Sequence, residues 1–455
     1  MKRFSFVLAL GFVLLLSDKA AADESLSVSI FKADVTPPIG SPLCFGAIKP
    51  AATVEERLTA RGIVLFGNGK PIVLCVADFV VIANASHDRW KEALAKAAGT
   101  TVDRVSMHVV HNHDSPGYDA SAMAELDKVK LADVMNRRAA HDKAISDTAA
   151  AVLEAVKRKT PVTHVGFGNG TVNNFASNRR IIGENGKIKI GRMSSTRNPK
   201  AIAAPEGVID PELNLVTFWN GNTAIASLSF YASHPQSYYG RGGMTPDTVG
   251  LARNRRSQDT GAMHIHFDGA GGNIAAGKYN DGSPEARAAL TDRMEEGMKA
   301  AWDAQNKSAV TSKDIEWIAA PTQLPWNGPN DEEQLAIILK NPEAKAKDRV
   351  RAARDLVYYR LWKEGRKINI NCLRIGEGRL LFFPGELFVE YQIAAKAMRP
   401  DQFTALAAYG DGGPGYIGTA IAYEQGGYEV SRVSRTGPGV EAVLTAVTKK
   451  LLDAD

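Results

Sequence analysis

The chain has 455 residues, with 55 Lys+Arg against 50 Asp+Glu, a formal net charge of +5, and three cysteines. A chain this long buries a large core without cross-links. Cys44, Cys75 and Cys372 exclude a disulfide framework, leaving one pair or free thiols, and the mild basicity forms no stripe interleaved with aromatics, which excludes nucleic acid as an expected partner.

Lys2 and Arg3 precede an apolar run from Phe4 to Leu16, and Ala20 and Ala22 supply the small residues a signal peptidase accepts, so residues 1–22 read as a signal peptide. The run is shorter than the roughly 20 residues that span a bilayer, and no later segment is long and apolar enough. The expected location is therefore export, periplasmic or extracellular, with no integral membrane segment after cleavage. Residues 26–35 and 61–79 alternate or run apolar like strands, and Asp34-Val35-Thr36-Pro37-Pro38 punctuates the first. Residues 87–98 and 138–158 repeat apolar positions at helical spacing. Val105–Val110 and Thr223–Ala232 read as buried strands. Residues 309–345 mix Pro, Asn and charges and read as a surface excursion, 345–364 as a highly charged helix, 372–383 as a strand, and Glu386–Met398 as a helix. No repeat or low-complexity segment appears. The fold class expected is α/β, with residues 26–455 forming a single large catalytic domain of mixed sheets flanked by helices. The polar motifs run from residue 111 to residue 428, and converge only if the chain closes into one body.

The densest motif is His111-Asn112-His113-Asp114-Ser115-Pro116-Gly117 at the end of an apolar strand. Residues i and i+2 of a strand share a face, so two imidazoles emerge together, one able to bind a metal and the other beside whatever the metal holds. His108 has the opposite parity and points elsewhere. His234 lies between a buried strand and Pro235, and Glu386 follows Leu381-Phe382-Phe383-Pro384-Gly385. A first-turn carboxylate is favoured by the helix dipole whatever its role, but the carboxyl end of an apolar strand is where α/β folds place their sites. Gly269-Ala270-Gly271-Gly272-Asn273 is a glycine-rich turn without the Gly-Lys-Ser/Thr ending of a phosphate loop. Its bare amides are candidates to approach a substrate or receive an oxyanion. Tyr416, Tyr423 and Tyr428 cluster near the end; a phenol ligates only when something such as zinc favours its ionised form, since it normally ionises near pH 10. Each motif taken alone also reads as packing, capping or a tight turn.

The order and wording of these motifs resemble the neutral (non-lysosomal) ceramidase family, from about Phe31 to about Val430. Ala33-Asp34-Val35-Thr36-Pro37-Pro38-Ile39-Gly40 is similar to its opening strand and turn, and His111-Asn112-His113-Asp114-Ser115-Pro116-Gly117 to its His-Thr-His-Ser-Gly-Pro-Gly motif. The resemblance implies a zinc site formed by His111, His234, Glu386 and Tyr416, with His113, Tyr428 and Arg179 around the scissile amide. It also implies that the loop Gly271, Gly272, Asn273 and Ala275 contacts substrate. Ala275 stands where the family carries a serine, and Asp455 comes before any room for the family's C-terminal immunoglobulin-like domain.

The activity implied by the resemblance is that of an exported zinc-dependent hydrolase of sphingolipid or related N-acyl amides. Water activated by Zn2+ attacks the carbonyl, Tyr428 supports the oxyanion, and His113 passes a proton to the leaving amine. No serine nucleophile is needed, and Ala275 implies that long-chain ceramide is a poor substrate. The alternatives are an esterase, lactonase or non-lipid amidase on the same site, or an exported binding protein without turnover.

Overall fold

The computed structural model describes residues 25–237, 240–328 and 332–453; residues 1–22, read as a signal peptide, lie outside the described residues. Three sheets of four or five strands dominate. The first runs, in spatial order, Val105–Val109, Ile72–Ala77, Thr59–Phe66, Leu26–Asp34, Thr160–Val162. In the second the order is Met263–Asp268, Thr223–Tyr231, Glu212–Asn220, His164–Thr171, Asn306–Ala309. The third contains Ile315–Thr322, Ile368–Ile375, Gly378–Phe382 and Thr404–Ala407. Among these described residues there is no separate immunoglobulin-like sandwich, and the expected mixed α/β class is met.

Side-chain alternation builds the layers. Ile72, Leu74 and Val76 enter an inner cluster with Leu228, Phe267 and Phe382, whereas Val73, Cys75 and Ala77 enter an outer one with Trp90 and Leu94. Each buried Val, Leu, Ile or Phe among them contributes about 1.5–3 kcal/mol. Helices Ala85–Ala98 and Arg138–Ala155 cover the first sheet, Asp247–Thr260 and Pro284–Asp303 the second, and Val389–Met398 and Val440–Asp453 the third. Helix Ala85–Ala98 buries Trp90, Leu94 and Ala98 at four-residue spacing and stops at Gly99, whose φ of 67° suits a left-handed cap.

Each large sheet has one parallel pair, always at an edge: Ile72–Ala77 with Val105–Val109, Thr223–Tyr231 with Met263–Asp268, and Gly378–Phe382 with Thr404–Ala407. The carboxyl ends of these edges are tied together. The amide of Val109 donates to Tyr409 O (3.1 Å), and that of Ala408 donates to Asp268 O (2.8 Å). His108, of opposite parity to Val109, caps the join by placing Nδ1 on Ala408 O at 2.6 Å.

Two expectations need correction. Residues 309–345 are no excursion: Ile315–Thr322 pairs antiparallel along its whole length with Ile368–Ile375, and Glu332–Lys340 is a helix packed on helix Ala346–Lys363. Pro321 fits there because the strand is an edge, where a missing N–H is tolerated. Nor does Glu386 open a helix. Glu386–Leu387 is a two-residue strand beside Tyr416–Ile417, and the helix begins at Val389. All three cysteines are free, with Cys75 and Cys372 fully buried.

Candidate metal centre

The loops leaving the three parallel edges meet over the tied strand ends. His111 lies two residues beyond Val109, His234 three beyond Tyr231, Glu386 four beyond Phe382, and Tyr416 nine beyond Ala407. His111 has left the strand, with φ at 65°, a region few non-glycine residues occupy and one that clusters at functional sites. The parity expected of His111 and His113 therefore does not apply, yet their Nε2 atoms stand 3.3 Å apart. Glu386 and Tyr416 are register partners in a parallel pair, which puts their side chains side by side on one face.

The orientation of each ring is set from behind. His111 Nδ1 is 2.6 Å from Val80 O, and His234 Nδ1 is 2.7 Å from Gly271 O. A carbonyl only accepts, so both rings carry their proton on Nδ1 and turn an unprotonated Nε2 to the centre. Arg179, a donor only, points Nη1 at His234 Nε2 from 3.3 Å, consistent with that tautomer. Burial, reinforced by Arg179, lowers His234 to about 4, and burial with the neighbouring imidazoles holds His113 well below the usual value. Burial alone would raise Glu386, and His111 and His234 hold it well below the ordinary carboxylate range only when their Nε2 atoms carry protons.

Four lone-pair atoms thus crowd one point. His111 Nε2 is 3.3 Å and His234 Nε2 3.2 Å from Glu386 Oε2, and His234 Nε2 is 3.0 Å from Tyr416 Oη. Ligands about 2.0–2.2 Å from a tetrahedral ion stand about 3.3–3.6 Å apart; these separations lie at or slightly inside that range, and the donor chemistry suits a divalent metal ion. The ligand atoms of His111, His113 and His234 also lie within 4.8 Å of one another. His113 differs in its surroundings: its Nδ1 faces Cys44 Sγ at 3.8 Å, where His111 and His234 each meet a main-chain carbonyl. Burial pushes the Tyr416 phenol well above its usual range although Arg179 opposes it; a cation among these atoms would favour the phenolate instead.

Arg179 and Tyr428 complete the wall. Arg179 donates to Tyr416 Oη at 3.1 Å and, more closely, to Tyr428 Oη; the two tyrosine oxygens are 3.0 Å apart. Tyr423 does not take part, since it bonds Thr436. These residues line a cavity of about 420 Å³ with Cys44, Phe45, Ile48, Val80, Met193 and Val433 among its walls.

The glycine-rich turn is the expectation the geometry changes most. The Gly271 amide donates to Gly269 O and the Gly272 amide to Leu387 O, so neither is available to an oxyanion. A Cβ on Gly272 would lie 2.3 Å from Glu386 O, and one on Gly271 2.9 Å from the Ser233 backbone. The glycines are there so that the segments bearing His234 and Glu386 can close. Asn273 accepts from the Val389 amide at 2.9 Å and donates to Glu390, fastening the helix after Glu386. Ala275 is fully buried, pairs with Ser177, and lies outside the cavity lining. The loop is a buttress for the site.

Tyr409 joins the site with no motif to mark it in the sequence. Its ring stacks on His111 with centroids 4.5 Å apart, and its hydroxyl is 3.4 Å from His234 Nδ1. The strand-end rule that selects His111 and Glu386 applies to it as well, because it follows Thr404–Ala407.

No protein-family model matches the chain, and no curated protein matches it. Solved structures do, and they define the class: this is the fold of the neutral ceramidases. The structure of neutral ceramidase from Pseudomonas aeruginosa superposes with a TM-score of 0.71 at 19% identity, covering 95% of this chain and 74% of that one. A ceramidase complexed with C2 gives 0.69 at 17%, covering 95% and 75%. No helix among the described residues is long and apolar enough to cross a membrane.

Proposed function

We propose that the protein is an exported zinc-dependent hydrolase of the neutral ceramidase type, cleaving an amide bond in an N-acyl lipid or related molecule. The observation that carries this reading is the set of four inward lone-pair atoms on His111, His234, Glu386 and Tyr416, with separations of 3.0–3.3 Å, close to those of a tetrahedral zinc shell. Zinc bound there supplies Lewis acidity, bringing the pKa of water near 7 and polarising a carbonyl.

The chain's own residues account for the rest. Tyr428 accepts from Arg179 and lies 3.0 Å from Tyr416 Oη, and its hydroxyl proton turns from that oxygen to the amide oxygen as negative charge develops there. One water is consumed: its oxygen bonds the carbonyl carbon, the C–N bond breaks, and a proton reaches the departing nitrogen. His113, neutral and beside His111, carries that proton. The apolar wall formed by Phe45, Ile48, Val80 and Val433 suits an acyl chain. The test is incubation of zinc-loaded protein with N-lauroyl amides and mass spectrometry of the products. Release of laurate and free amine, abolished in Glu386→Gln, is expected; intact amides under zinc saturation would overturn the reading.

A further inference from the structure

Helix Ala346–Lys363 turns one stripe into the cavity. Lys347, Val350, Arg351 and Arg354 all line it, at the i, i+3, i+4, i+7 spacing of a single face. Arg432 lines it too, and Glu386, committed to the metal centre, is the one acidic side chain among the lining residues. Arg435 is already paired with Asp355 at 2.8 Å, and Arg179 is held by the two tyrosines. Lys347, Arg351, Arg354 and Arg432 have no side-chain hydrogen bond or ion pair with a described residue.

Arg354 is the most enclosed of the four. Its Nε is out of solvent without a hydrogen-bond partner, and its guanidinium lies 4.0 Å over the Phe45 ring. The residue before Phe45 is Cys44, whose Sγ is 3.8 Å from His113 Nδ1. A single dipeptide thus spans the gap between the metal centre and Arg354. Both its residues have positive φ, 48° and 57°, a conformation rarely adopted without glycine. A guanidinium is a planar fork matched to a carboxylate, and Arg354 is half-buried with only its Nε out of solvent, so its terminal nitrogens stay open to the cavity. Ile48 and Val350 line the same cavity, and Arg435, Asp119, Asp355 and Glu386 act on Arg354 through space without forming an ion pair with it.

We infer that the amide cleaved at this centre carries a carboxylate, bound by Arg354 with Arg351 beside it, so that the substrates are N-acyl amino acids rather than neutral N-acyl sphingoid bases. The inference rests on the amide-hydrolase reading above and specifies its substrate.

The test compares N-lauroylglycine with N-lauroylethanolamine, which differ only in carboxylate against hydroxymethyl, and adds N-lauroyltaurine to separate carboxylate from a generic anion. Wild-type kcat/KM should favour N-lauroylglycine by roughly tenfold to a hundredfold, as charged hydrogen bonds allow. The preference should shrink in high salt and fall to within about threefold in Arg354→Gln/Arg351→Gln, with Arg354→Lys intermediate. A ratio at or below one, a ratio unchanged in the double variant, or equal preference for the taurine conjugate would overturn it. If neither amide is hydrolysed, calorimetry on the zinc-loaded protein separates the two failures. Tighter binding of N-lauroylglycine that is lost in the double variant supports the carboxylate site while the hydrolase reading falls. Equal binding of both amides overturns the site itself.

Discussion

Asp411 and Glu386 are two enclosed carboxylates with opposite surroundings. Asp411 is met by donors at every side: Oδ1 accepts from the Asn84 and Gly413 amides, both at 2.9 Å, and Oδ2 from Arg366 at 2.9 Å. Burial would raise it, but Arg366 and His87 bring it to about 2. Glu386 meets two imidazoles that have already spent their protons on Val80 and Gly271. Its contacts at 3.3 and 3.2 Å set lone pair against lone pair. The first cluster is complete within the chain and serves the fold, partly by placing the Asp411 carbonyl on the Gly385 amide at 3.0 Å. In the reading proposed above, the second becomes complete with a cation. A buried charge surrounded by donors is structural; one surrounded by acceptors is a binding site.

If the acceptor-lined cluster is the binding site, the largest effects belong to its paired histidines. His113→Ala should keep its metal and lose hydrolysis by about 10²–10⁴-fold, the range of a positioned acid–base group, whereas His111→Ala should lose both, as metal analysis beside activity will show. A metal-free His113→Ala with a loaded His111→Ala would exchange the two roles. Tyr428→Phe should lower kcat by about 10²–10³-fold with KM little changed, as expected of a donor to developing charge; a change confined to KM would make it a binding residue only.

Asp411→Asn should act on stability. Leaving Arg366 without that counter-charge should cost about 2–3 kcal/mol in urea unfolding, below the usual cost for buried pairs because Arg366 is partly exposed and also holds Asp88. The folded value near 2 lies below the ordinary aspartate value of 3.8. The Asp411 contribution is therefore present above about pH 4 and lost as pH falls towards 2. The variant's stability should fall less steeply than the wild type's over that window; parallel curves would remove Asp411 from the acid response. The smallest effect expected is that of Ala275→Ser, within about threefold on any amide, because the residue is buried outside the cavity. A large gain on ceramide would restore it to the substrate wall.

Strand ends and proline turns make His111, His234 and Glu386 legible in the sequence alone, since an apolar run followed by a turn locates the edge of a sheet whatever lies across it. Their convergence is legible only through family resemblance, because it depends on three parallel edges meeting. Arg354 and Asp411 have no local signature. One lies in a charged helix that reads as solvated, the other in a glycine-rich turn, and their roles come from Phe45 and Arg366, distant in sequence. Pro321 conceals an edge strand, and the glycines at 271 and 272 look open because their neighbours, Ser233 and Glu386, come from other segments.

The most direct measurement is metal content per chain in wild type and in Glu386→Gln, purified alike and checked for folding by thermal melting. The amide side chain nearly preserves shape but removes the charge that the cluster lacks a donor to balance. One zinc per wild-type chain is expected, with none in the variant and a melting temperature within a few degrees of the metal-free wild type. Equal zinc in both proteins, or none in either under saturating zinc, would contradict the assignment of these four side chains as a metal centre.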